Sequence, residues 1–249
     1  MTKVIVSGGC SFAYGFNLEN RSERYSKVIA GAYGKDLIDV SIAGCSNEHI
    51  GSCMAIGINR ALQNYDAKDI VAIVGWTDMM RYEAWNKFQN RIQSFYIDQE
   101  SHRNGDFIDG DPVARTIAAN AAFVARHVWT AEWSYYKLVH AFNYVSAVCR
   151  SHGIPVIHRA SLPLARFPFA KGNVKFSENK NEWYTEQVVM PDDQDTFDKL
   201  FHSRTFHGLT REDPVKYQIE NGFDSHPNSL GHAKWAECLM SVHGDVLGR

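Results

Sequence analysis

Three short runs of aliphatic residues in the first eighty positions, alternating with two helical patterns, constrain the fold more than any other feature of this chain. Lys3-Val-Ile-Val-Ser7 and Ile70-Val-Ala-Ile-Val74 carry β-branched residues on both faces, and Asp36-Leu-Ile-Asp-Val-Ser41 reads as a strand between them. A strand without a polar face must be covered on two sides, which points to a parallel sheet between helices. Ser22 to Tyr33 reads as a helix, with Ser22 as N-cap and Gly34 as its stop. Ser46 to Tyr65 reads as another, with Ile50, Met54, Ile58 and Leu62 making one apolar stripe. The pattern predicts an α/β fold, a three-layer α/β/α sandwich with a mainly parallel sheet. Pro112 to His152 is helical in pattern over roughly forty residues, long enough that a kink or two helices is expected. Pro155 to His158 reads as a fourth strand, and Ser229 to about His243 as a terminal helix.

A chain of 249 residues supports a sizeable core. It is expected to form one domain over residues 1–249, with elaborated loops at about 76–111 and 160–224. The net charge of −2 lacks the basic balance of a nucleic-acid footprint, so no nucleic-acid partner is expected. No apolar run approaches the roughly 18–20 residues that span a bilayer, so no membrane partner is expected either. Met1 to Gly9 lacks a basic region followed by a long apolar core, so it does not read as a signal peptide. The five cysteines show no CxxC, which argues against a disulfide framework and fits a cytoplasmic location. His202, His207 and Asp213 match no zinc template. No metal and no cofactor is expected.

Both long loops follow the C-terminal end of a strand, where open α/β sheets place their ligands. They are rich in aromatic residues, as substrate-binding walls are. Trp129, Trp133, Tyr136, His140 and Tyr144 form an aromatic stripe on the long helical segment. It reads as core or as a homo-oligomer contact.

Four strand-end segments carry the chemistry. Gly8-Gly9-Cys10-Ser11 follows the first strand and holds a serine at the tip of the sheet. The phosphate-binding patterns GxxxxGK[ST] and GxGxxG are absent there. Ala43-Gly44-Cys45-Ser46-Asn47 follows the second strand, and Gly75-Trp76-Thr77-Asp78 the third. Glycine at a strand end permits close approach of a ligand. Asn47, Trp76 and Asp78 are the expected substrate contacts, and Asp78 and Arg81 are candidates for a local pair or a polar ligand. The last segment, Asp224-Ser225-His226-Pro227-Asn228, sets a carboxylate beside an imidazole that it can orient.

In this order the four blocks resemble the SGNH (GDSL-like) hydrolase family over nearly the whole chain. The resemblance implies a flavodoxin-like sheet and ester hydrolysis at a shallow site. It implies Ser11 as nucleophile, and Asp224 and His226 as the rest of the triad. It places Ser11, Gly44 and Thr77 at the oxyanion hole. Thr77 stands where the family has asparagine, and Asp224 lies two residues before the histidine rather than three, a position held by Phe223. The expected function is a serine esterase acting on a small ester, such as an acetylated carbohydrate. Two other classes compete with it: a weakly active or inactive binding protein on the same fold, and a phosphate- or nucleotide-binding protein using Gly8 to Gly15.

Overall fold

The computed structural model describes residues 3–86, 90–96, 112–127, 131–162, 164, 174–175, 188–189, 191–202, 205–219 and 226–248. Strand β1 (Val4–Gly9) is buried along its whole length. Its backbone passes straight into α1 (Ser11–Tyr14) and then, through a capped 3₁₀ turn at Arg21–Glu23, into α2 (Tyr25–Ala32). The next elements are β2 (Asp36–Asp39), α3 (Asn47–Leu62) and β3 (Ile70–Trp76), itself fully buried. A hairpin of β4 (Arg81–Asn86) and β5 (Arg91–Tyr96) is followed by α4 (Pro112–His127), α5 (Ala131–His152) and β6 (Val156–Ala160). A small pair, β7 (Val174–Lys175) and β8 (Val188–Val189), precedes α6 (Gln194–His202), α7 (Phe206–Thr210), α8 (Pro214–Tyr217) and α9 (Ser229–Leu247).

The main sheet has the order β2-β1-β3-β6, and every pair in it is parallel. These are the first four places of the flavodoxin-like order, in which the chain switches direction between β1 and β3. Helices cover both sides. Alternating residues of β1 point to opposite layers. A Cβ at Gly57 on α3 would meet Val6 at 2.9 Å, whereas Ser7 faces Tyr25 of α2. Helix α5 packs on α3, and α9 on α2. The expected three-layer α/β arrangement with a parallel sheet is therefore present.

Several local expectations changed. The helical segment 112–152 is two helices, as its length required. Ser22 does not cap α2: Asn20 accepts a bond from the Ser22 N–H, and α2 begins at Tyr25. The stretch after Trp76 contains the β4–β5 hairpin rather than loop alone. Of the aromatic stripe, Trp133 stacks on Tyr136 and packs with Met80 and Tyr82 beneath that hairpin, so this part is covered by the chain itself. Trp129 lies outside the described residues. No helix among the described residues is long and apolar enough to cross a membrane.

The ends of β1 and β3 approach so closely that only glycine fits between them. Gly9 pairs with Gly75, and a Cβ on Gly9 would lie 2.9 Å from the Gly75 carbonyl oxygen and 2.7 Å from Ala13 Cβ. Because one of these neighbours is backbone, rotamer change cannot relieve the clash. Gly9→Ala is expected to cost about 1–3 kcal/mol, as overpacking does. Urea unfolding measures this, and an unchanged midpoint would contradict the packing described.

Candidate active site

The C-terminal ends of β1, β2 and β3 share one edge of the sheet, so the turns after them meet. Ser11 is the first residue of α1, directly beyond β1. The first N–H groups of a helix have no intrahelical partner, so its own amide is placed to donate outward. Ser11 is 4% exposed, and its Oγ has no hydrogen-bond partner among the described residues. Gly44, in the turn after β2, has φ +82°, a conformation that L side chains rarely adopt. The Arg81 guanidinium stands beside it, with Nη1 3.8 Å from where a Cβ would be.

The turn after β3 is stitched to the start of α3. Asn47 Nδ2 donates to the Thr77 carbonyl at 3.1 Å, and the Thr77 N–H donates to Asn47 Oδ1 at 2.9 Å. The side chain of Thr77 is fully buried, with no hydrogen-bond partner for its hydroxyl among the described residues. Asn47 therefore positions the site from within. The structure also moves the other two expected substrate contacts. Trp76 is 0% exposed, and its indole N–H donates to His158 Nδ1 at 3.2 Å inside the core. Asp78 is buried, and its Oδ1 accepts from the Met80 N–H at 2.8 Å to close the turn before β4. The three side chains sit at strand ends as read, but they face inward.

Glu83, on β4, was not singled out by sequence. It holds the Gly44 turn from the other side: Oε1 accepts from the Ser46 N–H at 2.8 Å and meets His49 Nδ1 at 3.1 Å. Ser46 in turn caps α3 by accepting from the His49 N–H. The Cys53 thiol and the Glu83 carboxylate together raise the His49 pKa to about 10. Burial pushes the Glu83 carboxyl up, but its bonds from His49 and Ser46 outweigh this and hold it below its ordinary value.

His226 reaches the site from the chain segment before α9. Its carbonyl accepts from the Ile219 N–H at 3.0 Å, Pro227 bridges to Gln218, and Asn228 caps α9 by accepting from the Gly231 N–H. The half-buried imidazole lies against two rings of the Ser11 segment, 5.0 Å from the Phe12 centroid and 5.1 Å from that of Phe16. It thus neighbours the residue next to Ser11, but the Ser11 hydroxyl makes no hydrogen bond to it. Asp224 lies outside the described residues. Deeper in, His232 Nδ1 accepts from the Tyr25 N–H at 3.2 Å, and burial lowers its pKa to about 3. Among the described residues, no group of three His, Cys, Asp or Glu side chains is arranged to hold a metal ion.

A cavity of about 650 Å³ opens beside the edge, lined by Tyr14, Phe16, Leu18, Arg21, Ile42 and their neighbours. Its walls come from the residues just after Ser11 and just before Gly44. Sequence reasoning missed them. Their signal was isolated: a large apolar residue, Phe16 or Ile42, set among small and polar neighbours within a few positions of Ser11 or Gly44.

No family model matches the chain, and no curated protein matches it. Among solved structures, it is similar to a member of the lipolytic protein G-D-S-L family from Veillonella parvula, at 11% identity and TM-score 0.47 over 98% of this chain and 99% of that one. A putative lipolytic protein of the same family from Desulfitobacterium hafniense gives 11% identity and TM-score 0.45, over 97% and 99%. A family two carbohydrate esterase from Clostridium thermocellum gives 14% identity and TM-score 0.43, over 99% of this chain and 65% of that one.

Two outcomes are expected from this geometry. Asn47→Ala leaves the buried Thr77 N–H and carbonyl unpaired and should cost about 1–3 kcal/mol, read by urea unfolding; wild-type stability would contradict the stitch. The His49 pKa is higher in the folded chain, so its contribution is complete below about 6.5 and is lost as pH rises toward about 10. Glu83 is shifted the other way, so its contribution is present above about 4.3 and is lost as pH falls below that. Tm should therefore decline between pH 7 and 10, and His49→Gln should flatten that decline. A slope unchanged by the substitution would count against the His49–Glu83 pair.

Proposed function

We propose that this chain is a serine esterase that hydrolyses carboxylic esters at the edge formed by Ser11, Gly44, Thr77 and His226. The observation that carries the reading is the seat of His226 against Phe12 and Phe16, two rings of the segment that follows Ser11. It brings the last block of the chain to the first, across more than two hundred residues of sequence.

In this mechanism the Ser11 hydroxyl attacks the ester carbonyl while His226 takes its proton. Asp224 holds the imidazole in the tautomer that can accept it. The N–H groups of Ser11 and Gly44 donate to the developing oxyanion, and the Thr77 hydroxyl supplies a third donor. His226 then returns the proton to the leaving alcohol, and water releases the acyl group by the reverse path. Two buried hydroxyls without partners, Ser11 Oγ and Thr77 Oγ1, are costly in a resting fold. A reacting ester would give both something to bind. The chain acts as one domain over residues 1–249. An acetylated carbohydrate is the natural first substrate class to try. The five cysteines are all free thiols, which supports a reducing, cytoplasmic setting.

One observation favours a second reading. Ser11 Oγ does not hydrogen-bond His226, which suits a binding protein for a carbohydrate or another small polar ligand on the same fold. A panel of short-chain chromogenic esters and acetylated sugars separates the two. On the esterase reading, Ser11→Ala lowers turnover by at least about 10³, and Thr77→Ala by about 10². Equal turnover by wild type and Ser11→Ala would remove Ser11 from the role.

A further inference from the structure

The cavity formed by the residues that follow Ser11 and precede Gly44 has apolar and polar wall in nearly equal parts and carries a single charge. Of its lining residues, only Arg21 is ionised at neutral pH. Its guanidinium carbon lies 4.2 Å from the centroid of the Tyr14 ring, a cation–π contact that holds the long side chain to one wall. Arg21 is exposed, and among the described residues it makes no ion pair that would hold its guanidinium away from an incoming anion. Phe16 and Ile42, 41% and 40% exposed, flank the opening. Large apolar side chains left this open beside a candidate nucleophile gain most when a ligand covers them.

The wall is built, not incidental. Gly15 has φ +71°, and a Cβ there would lie 2.8 Å from Leu18 Cδ1. The Phe16 N–H is tied to the Ser11 carbonyl, and the Leu18 N–H to that of Gly15. Asn20 accepts from the Ser22 N–H and so fixes the 3₁₀ turn that begins with Arg21. Position and charge are thus set by the same short segment that carries Ser11.

We propose that this cavity is a subsite for an ester that bears a carboxylate beside an apolar face, and that Arg21 is the residue that selects it. The proposal rests on the esterase reading for its chemistry, but the anion site itself is a binding claim. Tyr14 and Phe16 cover the apolar face of the bound group. The guanidinium fork then takes the carboxylate through two parallel N–H···O bonds, a match that lysine or a neutral side chain does not reproduce. The carboxylate can belong to the acyl half or to the alcohol half of the ester.

Two matched pairs of esters test this and separate the halves. 4-Nitrophenyl hemiglutarate against 4-nitrophenyl pentanoate places the charge on the acyl side. 4-Acetoxybenzoate against 4-methylphenyl acetate places it on the alcohol side. In one pair, the wild type should prefer the anionic ester at least tenfold in kcat/KM, with most of the difference in KM. Arg21→Gln should abolish that preference, and Arg21→Lys should keep part of it. The ratio is taken within each variant, so a general loss of folding does not mimic the result. No preference in either pair, or a preference that survives Arg21→Gln, would overturn the proposal. If the wild type turns over none of the four esters, the esterase reading fails, and calorimetry decides the subsite alone. Binding of monomethyl glutarate or 4-hydroxybenzoate that Arg21→Gln abolishes would support it, and no binding to the wild type would overturn it.

Discussion

Two hydrogen bonds between the Asn47 side chain and the Thr77 backbone hold this site together. They join the start of α3 to the end of β3 where the chain leaves the sheet, at the point where no ladder bond can do so. Everything proposed for the edge depends on that join. It fixes the turn bearing Gly44 relative to the turn bearing Thr77. It also commits both polar groups of Asn47 to structure, so the residue is buried with its amide satisfied. Glu83 closes the same turn from β4, so the Gly44 loop is held from two directions.

The sheet explains why a serine can stand where Ser11 does. Gly9 and Gly75 let β1 and β3 run side by side to their ends. The chain then turns at once into α1, so the Ser11 hydroxyl is delivered at the switch point without a long loop. The helices after β1 and β3 lie on opposite layers, and a crevice opens between the two turns. His226 comes from the far end of the chain to the Phe12 and Phe16 rings, steadied by the Pro227 bridge and the Asn228 cap. The site is an assembly of strand ends, rigid on the sheet side and built from loop residues on the other.

Most of the layered fold was legible in the sequence, because burial on both faces leaves an unmistakable run such as Ile70 to Val74. The split of the long helical segment was legible from its length. The β4–β5 hairpin was not: Arg81-Tyr-Glu-Ala-Trp-Asn86 mixes charge and aromatic residues without a clean alternation, since one strand both packs over Trp133 and presents Glu83 to the Gly44 turn. The block order brought Ser11, Gly44, Thr77 and His226 to one edge, because a parallel sheet collects its strand ends. The direction of individual side chains was beyond it. Trp76 and Asn47 occupy strand ends, yet the buried His158 ring and the Thr77 backbone claim them. A near-neutral overall charge also hid one local contrast, a single arginine beside the Tyr14, Phe16 and Ile42 side chains.

Esterase chemistry at this edge requires Ser11 to be an activated nucleophile. Intact-protein mass spectrometry after exposure to a fluorophosphonate measures this most directly, because the reagent needs an activated serine and no particular substrate. A single adduct mapping to Ser11, and lost in both Ser11→Ala and His226→Ala, is the predicted result. No adduct on the wild type, or one that persists in Ser11→Ala, would contradict it.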